Sequence, residues 1–213
     1  MARGRFITLE GGEGTGKSTQ ARRLAERLRG AGLEVTATRE PGGSAGAEAI
    51  RRLLVDGEAD RWSPTAEALL MYAARRDHIE RVIAPALASG AWVISDRFFD
   101  STRAYQGAGG GASPGLIEAL EREVVGALTP DLTLVLDAPV QVGLKRAAGR
   151  KGGEARFEGK GVAFHGRLRR AFLDIAAREP ERCAVIKTTA PPDAVAAAIW
   201  ETVEARLGTP QHA

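Results

Sequence analysis

Residues Gly11, Gly12, Glu13, Gly14, Thr15, Gly16, Lys17 and Ser18 form the pattern G-x-x-x-x-G-K-[ST]. Its glycines let backbone N–H groups turn inward around phosphate oxygens. A helix opening at its end adds positive potential at the same point. Lys17 is expected to reach the β- and γ-phosphates, and the Ser18 hydroxyl to ligate Mg²⁺. These residue types point to a nucleoside triphosphate and to phosphoryl chemistry. The loop alone does not separate kinases from GTPases or ATP-driven motors.

Further residues of chemical interest lie downstream. Asp96 ends the apolar run Trp92-Val93-Ile94-Ser95, which puts a carboxylate at the carboxyl edge of a sheet, near the phosphate loop. There it holds Mg²⁺ through water, accepts a hydrogen bond from the acceptor side, or caps the next helix. Arg97, Ser101 and Tyr105 are spaced four apart and share one face if the segment is helical, with Gln106 directly after them. Arg97 suits bidentate contact with a phosphate. Met71 and Arg75 are also four apart, so that one can cover a base while the other reaches its edge. Glu40-Pro41-Gly42-Gly43 reads as a tight turn. Glu13 is an acid inside an anion-binding loop, an electrostatically costly place that calls for a partner. The three histidines show no metal-ligand spacing, and His78 reads as a helix-surface or packing residue.

The elements that must position these groups are legible as alternating patterns. Phe6–Leu9, Val35–Thr38, Trp92–Ser95, Leu132–Leu136 and Ala184–Ile186 read as nearly continuous apolar strands separated by helices. This is the pattern of a five-stranded parallel sheet covered on both faces, an α/β fold. Helices are predicted over Lys17–Arg29, from a Ser63 cap and Pro64 to Ala88 with a bend at Pro85, and over Gly115–Val125, Val140–Ala148, Val162–Ala177 and Asp193–Leu207. Gly107–Ser113 reads as a loop, and the charged, glycine-rich stretch 149–161 as a lid over phosphates. Residues 1–213 form a single domain with no repeat or linker. One cysteine, Cys183, excludes an intrachain disulfide or a cysteine metal cluster. With no apolar run long enough to cross a bilayer, this suits a cytoplasmic enzyme. The net charge of +3 comes from scattered basic residues, which a small phosphorylated substrate explains without nucleic acid.

Four segments, in order, resemble the bacterial thymidylate kinases. They are Leu9 to Thr19, Thr38-Arg39-Glu40-Pro41-Gly42-Gly43, Tyr72-Ala73-Ala74-Arg75, and Asp96-Arg97 followed by Ser101 and Ala104-Tyr105-Gln106-Gly107. The resemblance runs from Phe6 to about Arg178 and weakens beyond. It implies a P-loop nucleoside monophosphate kinase fold, ATP as donor, Mg²⁺, and transfer of the γ-phosphoryl group to dTMP to give dTDP, within dTTP synthesis. It implies a homodimer with the long middle helix at the contact. By the same resemblance Glu13 accepts from the sugar 3′-hydroxyl, Glu40 lies close to the acceptor phosphate, and Arg51 binds that phosphate beside Arg97. Arg75 meets a thymine carbonyl, Gln106 hydrogen-bonds the pyrimidine, and Tyr105 packs near the sugar, crowding a 2′-hydroxyl. Tyr105 also reads as an ordinary buried aromatic. Met71 stands where the family usually has phenylalanine. The phosphate loop lacks the arginine some members carry, so the lid segment Glu154-Ala155-Arg156-Phe157-Glu158 is expected to supply it through Arg156, with Arg146 and Arg150 in support. The segment Ile186-Lys187-Thr188-Thr189 departs from the family at the lysine and is expected near adenine. The alternatives are another nucleoside monophosphate or deoxynucleoside kinase of this fold, a P-loop regulatory ATPase switch, and a nucleic acid binding module. The N-K-x-D guanine motif that marks GTPases is missing from the sequence.

Overall fold

The computed structural model describes residues 3–58, 61–149 and 160–208. Its strands are β1 (Phe6–Glu10), β2 (Val35–Arg39), β3 (Trp92–Asp96), β4 (Leu132–Asp137) and β5 (Cys183–Lys187). They form one sheet in the order β2-β3-β1-β4-β5, with every neighbouring pair parallel. The expected five-stranded α/β arrangement is therefore present. β1 is buried along its whole length, as a strand covered on both faces must be. Its residues alternate between two cores. Ile7 and Leu9 meet Leu24 and Leu28 of helix α1 (Lys17–Gly30) and Ile199 and Trp200 of the C-terminal helix Pro192–Leu207. Phe6 faces the opposite side, with Tyr72, Ile83 and Phe98.

Registration of β1 against β3 sets the site. Leu9 lies opposite Asp96, so the loop after β1 and the turn after β3 leave the sheet side by side. Arg97 N–H donates to Leu9 O at 3.0 Å, and Glu40 N–H to Asp96 O at 3.0 Å. Three strand ends thus converge on one edge.

The helices between them are α2 (Ala45–Val55), α3 (Pro64–His78), α4 (Ala84–Ala88), α5 (Phe99–Thr102) and α6 (Pro114–Val124). After β4 come α7 (Val140–Ala148), α8 (Val162–Arg178) and, last, α9 (Pro192–Leu207). Ser63 caps α3 as its sequence predicts, accepting from Ala66 N–H at 3.2 Å. Two expectations need correction. The long middle helix does not simply bend at Pro85: a π-helical turn over Ile79–Ile83 lies before it, with Ala84 N–H donating to Ile79 O. The wider turn adjusts the backbone ahead of a residue that has no N–H of its own. The stretch expected as loop, Gly107–Ser113, is one only from Gly110 on: its first three residues close a π-helical segment over Arg103–Gly109. Gly109 reflects crowding, since a Cβ there would lie 2.9 Å from Leu168 and Phe164 of α8, whereas Gly111 serves the loop with a φ of 86°. No described helix is long and apolar enough to cross a membrane. Of the expected lid, residues 150–159 lie outside the described residues.

An ion network ties the C-terminal half to this edge. Asp100, 1 % exposed, accepts from Arg182 at 2.7 and 2.8 Å and from Arg103 at 3.3 Å. Arg103 also pairs with Glu121 and Glu179. Removing the carboxylate leaves Arg182 with only the partly exposed Glu179 as counter-charge. Asp100→Ala is therefore expected to lower unfolding stability by about 3–5 kcal/mol, read from urea denaturation. A loss below about 1 kcal/mol, the surface-pair value, would show that the network carries little stability.

Candidate active site

The loop between β1 and α1 takes its shape from glycines in the left-handed region, with φ of 132° at Gly11, 68° at Gly14 and 94° at Gly16. Its floor is α7. A Cβ on Gly14 would lie 1.9 Å from Gly143 O, and one on Gly143 2.4 Å from Glu13 O, so two backbones touch where no side chain fits. Thr15 Oγ1 and Lys17 Nζ both donate to Gly12 O, at 2.9 and 2.7 Å. Burial pushes the Lys17 amine down to about 8, helped by the Arg97 charge and opposed by Glu13, Asp96 and Glu10.

Arg97 stands at the crossing of the two strand ends. Its φ of 73° is a strained conformation for a side-chain-bearing residue. Its guanidinium donates to Gly11 O and Ser101 Oγ at 3.1 Å, Tyr105 OH at 3.0 Å and Glu13 Oε1 at 2.9 Å. Tyr105 OH donates to the same Glu13 oxygen at 2.6 Å. Burial alone would raise the Glu13 carboxyl, but Arg97, Lys17, the Tyr105 hydroxyl and the charge of His165 bring it down to about 2. Arg97, Ser101 and Tyr105 do converge, though not along one helix: Arg97 precedes α5, and Tyr105 sits in the π-helical segment. Tyr105 is buried against Phe164 and Phe172, so its hydroxyl is held well above its ordinary pKa, chiefly by burial.

A cleft of about 370 Å³ adjoins this pair, lined by Glu13, Glu40, Pro41, Met71, Arg75, Arg97, Phe98, Ser101, Thr102, Tyr105 and Gln106. Nearly all the acceptor-side residues singled out by sequence meet here. Arg75 is 2 % exposed, lies over the rings of Tyr72 and Phe98, and donates to Glu40 at 2.8 Å and Thr102 Oγ1 at 3.0 Å. Its Nη1 has no hydrogen-bond partner. Gln106 Nε2 donates to Glu67 Oε1 at 2.7 Å, which fixes the amide. Arg51 is placed beside the cleft, donating to Pro41 O at 2.7 Å.

On the other side of the phosphate loop, Thr15, Thr19, Gln20, Arg146 and Thr188 to Pro192 line a second cleft. Arg146 donates to Thr188 O at 2.9 Å, so this candidate faces that cleft while Arg150 and Arg156 lie outside the described residues. Asp96 does not cap α5: its Oδ2 accepts from Ser18 Oγ at 2.5 Å, and its Oδ1 is buried without a partner. A hydroxyl beside a carboxylate with spare oxygen capacity suits a hard divalent cation.

Several residues of the site escaped sequence reasoning. His78 is fully buried rather than on the helix surface, bridging Glu40 Oε1 at 3.0 Å and Thr38 Oγ1 at 2.7 Å. Glu10 accepts from Phe98 N–H, Ser101 N–H and Ser101 Oγ, anchoring the turn that carries Arg97. Burial, then the nearby Asp100, pushes its carboxyl up, against those bonds and Arg97. Asp137, at the end of β4, takes Arg169 in a bidentate pair at 2.7 and 3.0 Å. Partners such as Glu67 and Thr102 carry no sequence signal, because each contact spans tens of residues. The Gly14–Gly143 contact had a faint one, a glycine inside a helical pattern.

A sequence profile described as thymidylate kinase matches residues 9–199 of this chain. The chain is 66% identical over 208 residues to a thymidylate kinase of Caulobacter vibrioides, covering 98% of this chain and 100% of that protein. It is 55% identical over 207 residues to a thymidylate kinase of Bradyrhizobium diazoefficiens, covering 96% and 91%. The crystal structure of thymidylate kinase from Ehrlichia chaffeensis superposes with a TM-score of 0.77 at 33% identity, covering 94% of this chain and 99% of that one.

Substitution of Gly143 tests the seat of the loop. Alanine ordinarily stabilises a helix interior by about 0.5–1 kcal/mol relative to glycine. Here its methyl group meets Glu13 O, so Gly143→Ala is expected to displace the loop and weaken nucleoside triphosphate binding roughly tenfold or more. Calorimetric titration of wild type and variant checks this, and unchanged affinity would mean that α7 gives way without moving the loop.

Proposed function

This chain belongs to the thymidylate kinase family, and on that premise we propose that it transfers the γ-phosphoryl group of ATP to the 5′-phosphate of dTMP, giving dTDP and ADP. The observation that carries the reading is the pairing of two anion sites end to end. Lys17 Nζ and the Arg97 guanidinium donate to neighbouring carbonyls, Gly12 O at 2.7 Å and Gly11 O at 3.1 Å, one in the phosphate loop and one at the mouth of the acceptor cleft. Two phosphate tails held there meet at their ends, which in-line transfer requires.

The residues divide the work as follows. The amides of Gly11 to Ser18 and the Lys17 amine hold the donor phosphates, with Thr19 and Arg146 along the donor cleft. Arg97 grips the acceptor phosphate, with Arg51 reaching in from α2 and Glu40 close by. Arg75, with a buried Nη1 lacking a partner, donates to a carbonyl on the base. Gln106 reads the adjoining edge, Met71 covers the ring, and Tyr105 and Ser101 line the sugar and phosphate end. Glu13 takes the 3′-hydroxyl. Ser18 and Asp96 fit Mg²⁺, which when bound draws negative charge from the phosphate oxygens. Arg156 lies outside the described residues, and its role as the lid arginine rests on resemblance alone.

The chain acts as one domain, dimerises through the faces of α2 and α3, where Leu53 and Leu69 are exposed, and works in the cytoplasm. The dimer reading is supported by those two leucines on adjacent helices. The compartment reading is supported by the absence of a spanning helix among the described residues.

A panel of nucleoside monophosphates with MgATP, followed by ADP formation, tests the acceptor. dTMP is expected to be turned over fastest. Much faster turnover of dCMP or dGMP would overturn the assignment. Arg97→Ala is expected to lower kcat/KM for dTMP by roughly 100-fold, about 2.7 kcal/mol, with the KM for ATP changed less than about threefold. A regulatory ATPase would instead hydrolyse ATP equally well with and without dTMP.

A further inference from the structure

Beneath the phosphate loop lies a second cavity, and Glu13 lines both it and the acceptor cleft. About 20 Å³ of it is open to a water-sized body, enough for one molecule. Two polar atoms on its wall stand out. His165, on the first turn of α8, is 5 % exposed, and its Nε2 has no hydrogen-bond partner. Glu13 takes both its bonds, from Arg97 and Tyr105, on Oε1. Oε2 accepts from no described residue. A buried imidazole nitrogen left bare is costly, so its retention in a cavity that Glu13 also lines needs an explanation.

We infer that His165 is a positioning residue for Glu13, acting through one water molecule held in this cavity. The water accepts from His165 Nε2–H and donates to Glu13 Oε2, which leaves the face of Oε1 toward Arg97, Tyr105 and the acceptor cleft. Two polar partners meet the minimum that a buried water needs. Glu13 registers the nearby charge of His165 among the influences that keep it ionised, an independent sign that the two groups are close. With only Arg97 and Tyr105 to hold it, the carboxylate could rotate about its Oε1 contacts. A third contact from below, on the other oxygen, fixes the plane in which it meets the sugar. The same link runs from α8, which begins just after the stretch expected as lid, to the phosphate loop.

The inference rests on the reading of Glu13 as the partner of the acceptor 3′-hydroxyl, and the experiment separates the two. For wild type, Glu13→Gln, His165→Phe and His165→Gln, kcat/KM is measured for dTMP and for 2′,3′-dideoxythymidine 5′-monophosphate, with thermal melting as the control for folding. Wild type is expected to favour dTMP. Glu13→Gln and His165→Phe are both expected to lower that preference, the latter roughly five- to tenfold through dTMP KM, with the ATP KM unchanged. In His165→Gln the side-chain nitrogen stands near the place of Nε2 and restores most of it. If Glu13→Gln leaves the preference intact, the reading of Glu13 falls and the inference with it. If Glu13→Gln abolishes it and His165→Phe does not, the inference alone is overturned. A crystal structure of the wild-type protein supplies a readout free of folding effects. Ordered density within about 3 Å of both Nε2 and Oε2 supports the link, and dry apolar packing between them overturns it.

Discussion

Arg97 and Glu13 reach each other from neighbouring strand ends, and each makes the other's position tenable. An acid within a ring of inward-facing amides competes with the anion the loop is shaped for. Arg97, with Lys17, keeps that acid ionised and pointed away from the loop's interior. Arg97 in turn occupies a backbone region that costs of order 1–3 kcal/mol for a residue with a side chain. Its bonds to Gly11 O, Ser101, Tyr105 and Glu13 over-determine the strained turn. None of this survives a different strand order. Only with β3 directly beside β1, and Leu9 opposite Asp96, do the two loops emerge within reach.

Around that pair the interior is unusually rich in charge, and the charges are satisfied in sets. Glu40 divides its two oxygens between Arg75 and His78. Asp100 holds Arg182 and Arg103. Glu10 takes the backbone and hydroxyl of the turn after β3. Buried ion pairs offset their desolvation only when geometry and further hydrogen bonds are good. Here the further bonds come from Thr38, Thr102, Thr133 and Ser101, small hydroxyls on the neighbouring elements. The cleft beside Arg97 therefore has a rigid polar wall, which keeps an uncommitted nitrogen such as Arg75 Nη1 in place.

Much of this was legible in the sequence, for a physical reason. A strand buried on both faces must be apolar throughout, and a phosphate loop must place glycine where φ is positive. Both demands write themselves locally, so the inner strands β1, β3 and β4 and the loop Gly11–Ser18 could be read directly, while the half-exposed edge strands β2 and β5 were read from short apolar runs between helices. The spacing of Arg97, Ser101 and Tyr105 identified the right group by an imperfect route, since hydrogen bonds join them across a turn rather than along a helix. The π-helical segments were not readable, because i→i+5 bonding has no characteristic apolar period and arises from local crowding. Nor was the burial of His78, which depends on Glu40 and Thr38 arriving from another strand. Gln106 was marked, but Glu67, which orients it, was not, since an acid in a helical stretch normally faces water.

The contact of Gly14 and Gly143 has one more consequence. With the backbone of α7 pressed against it, the phosphate loop cannot sag inward or change its curvature. Its amides are already arranged before any nucleotide arrives, so binding has little ordering entropy to overcome. The rigidity is supplied from outside the loop, by the backbone of the helix beneath it. Glycine, the residue most often associated with looseness, here acts at both surfaces as the means of stiffness.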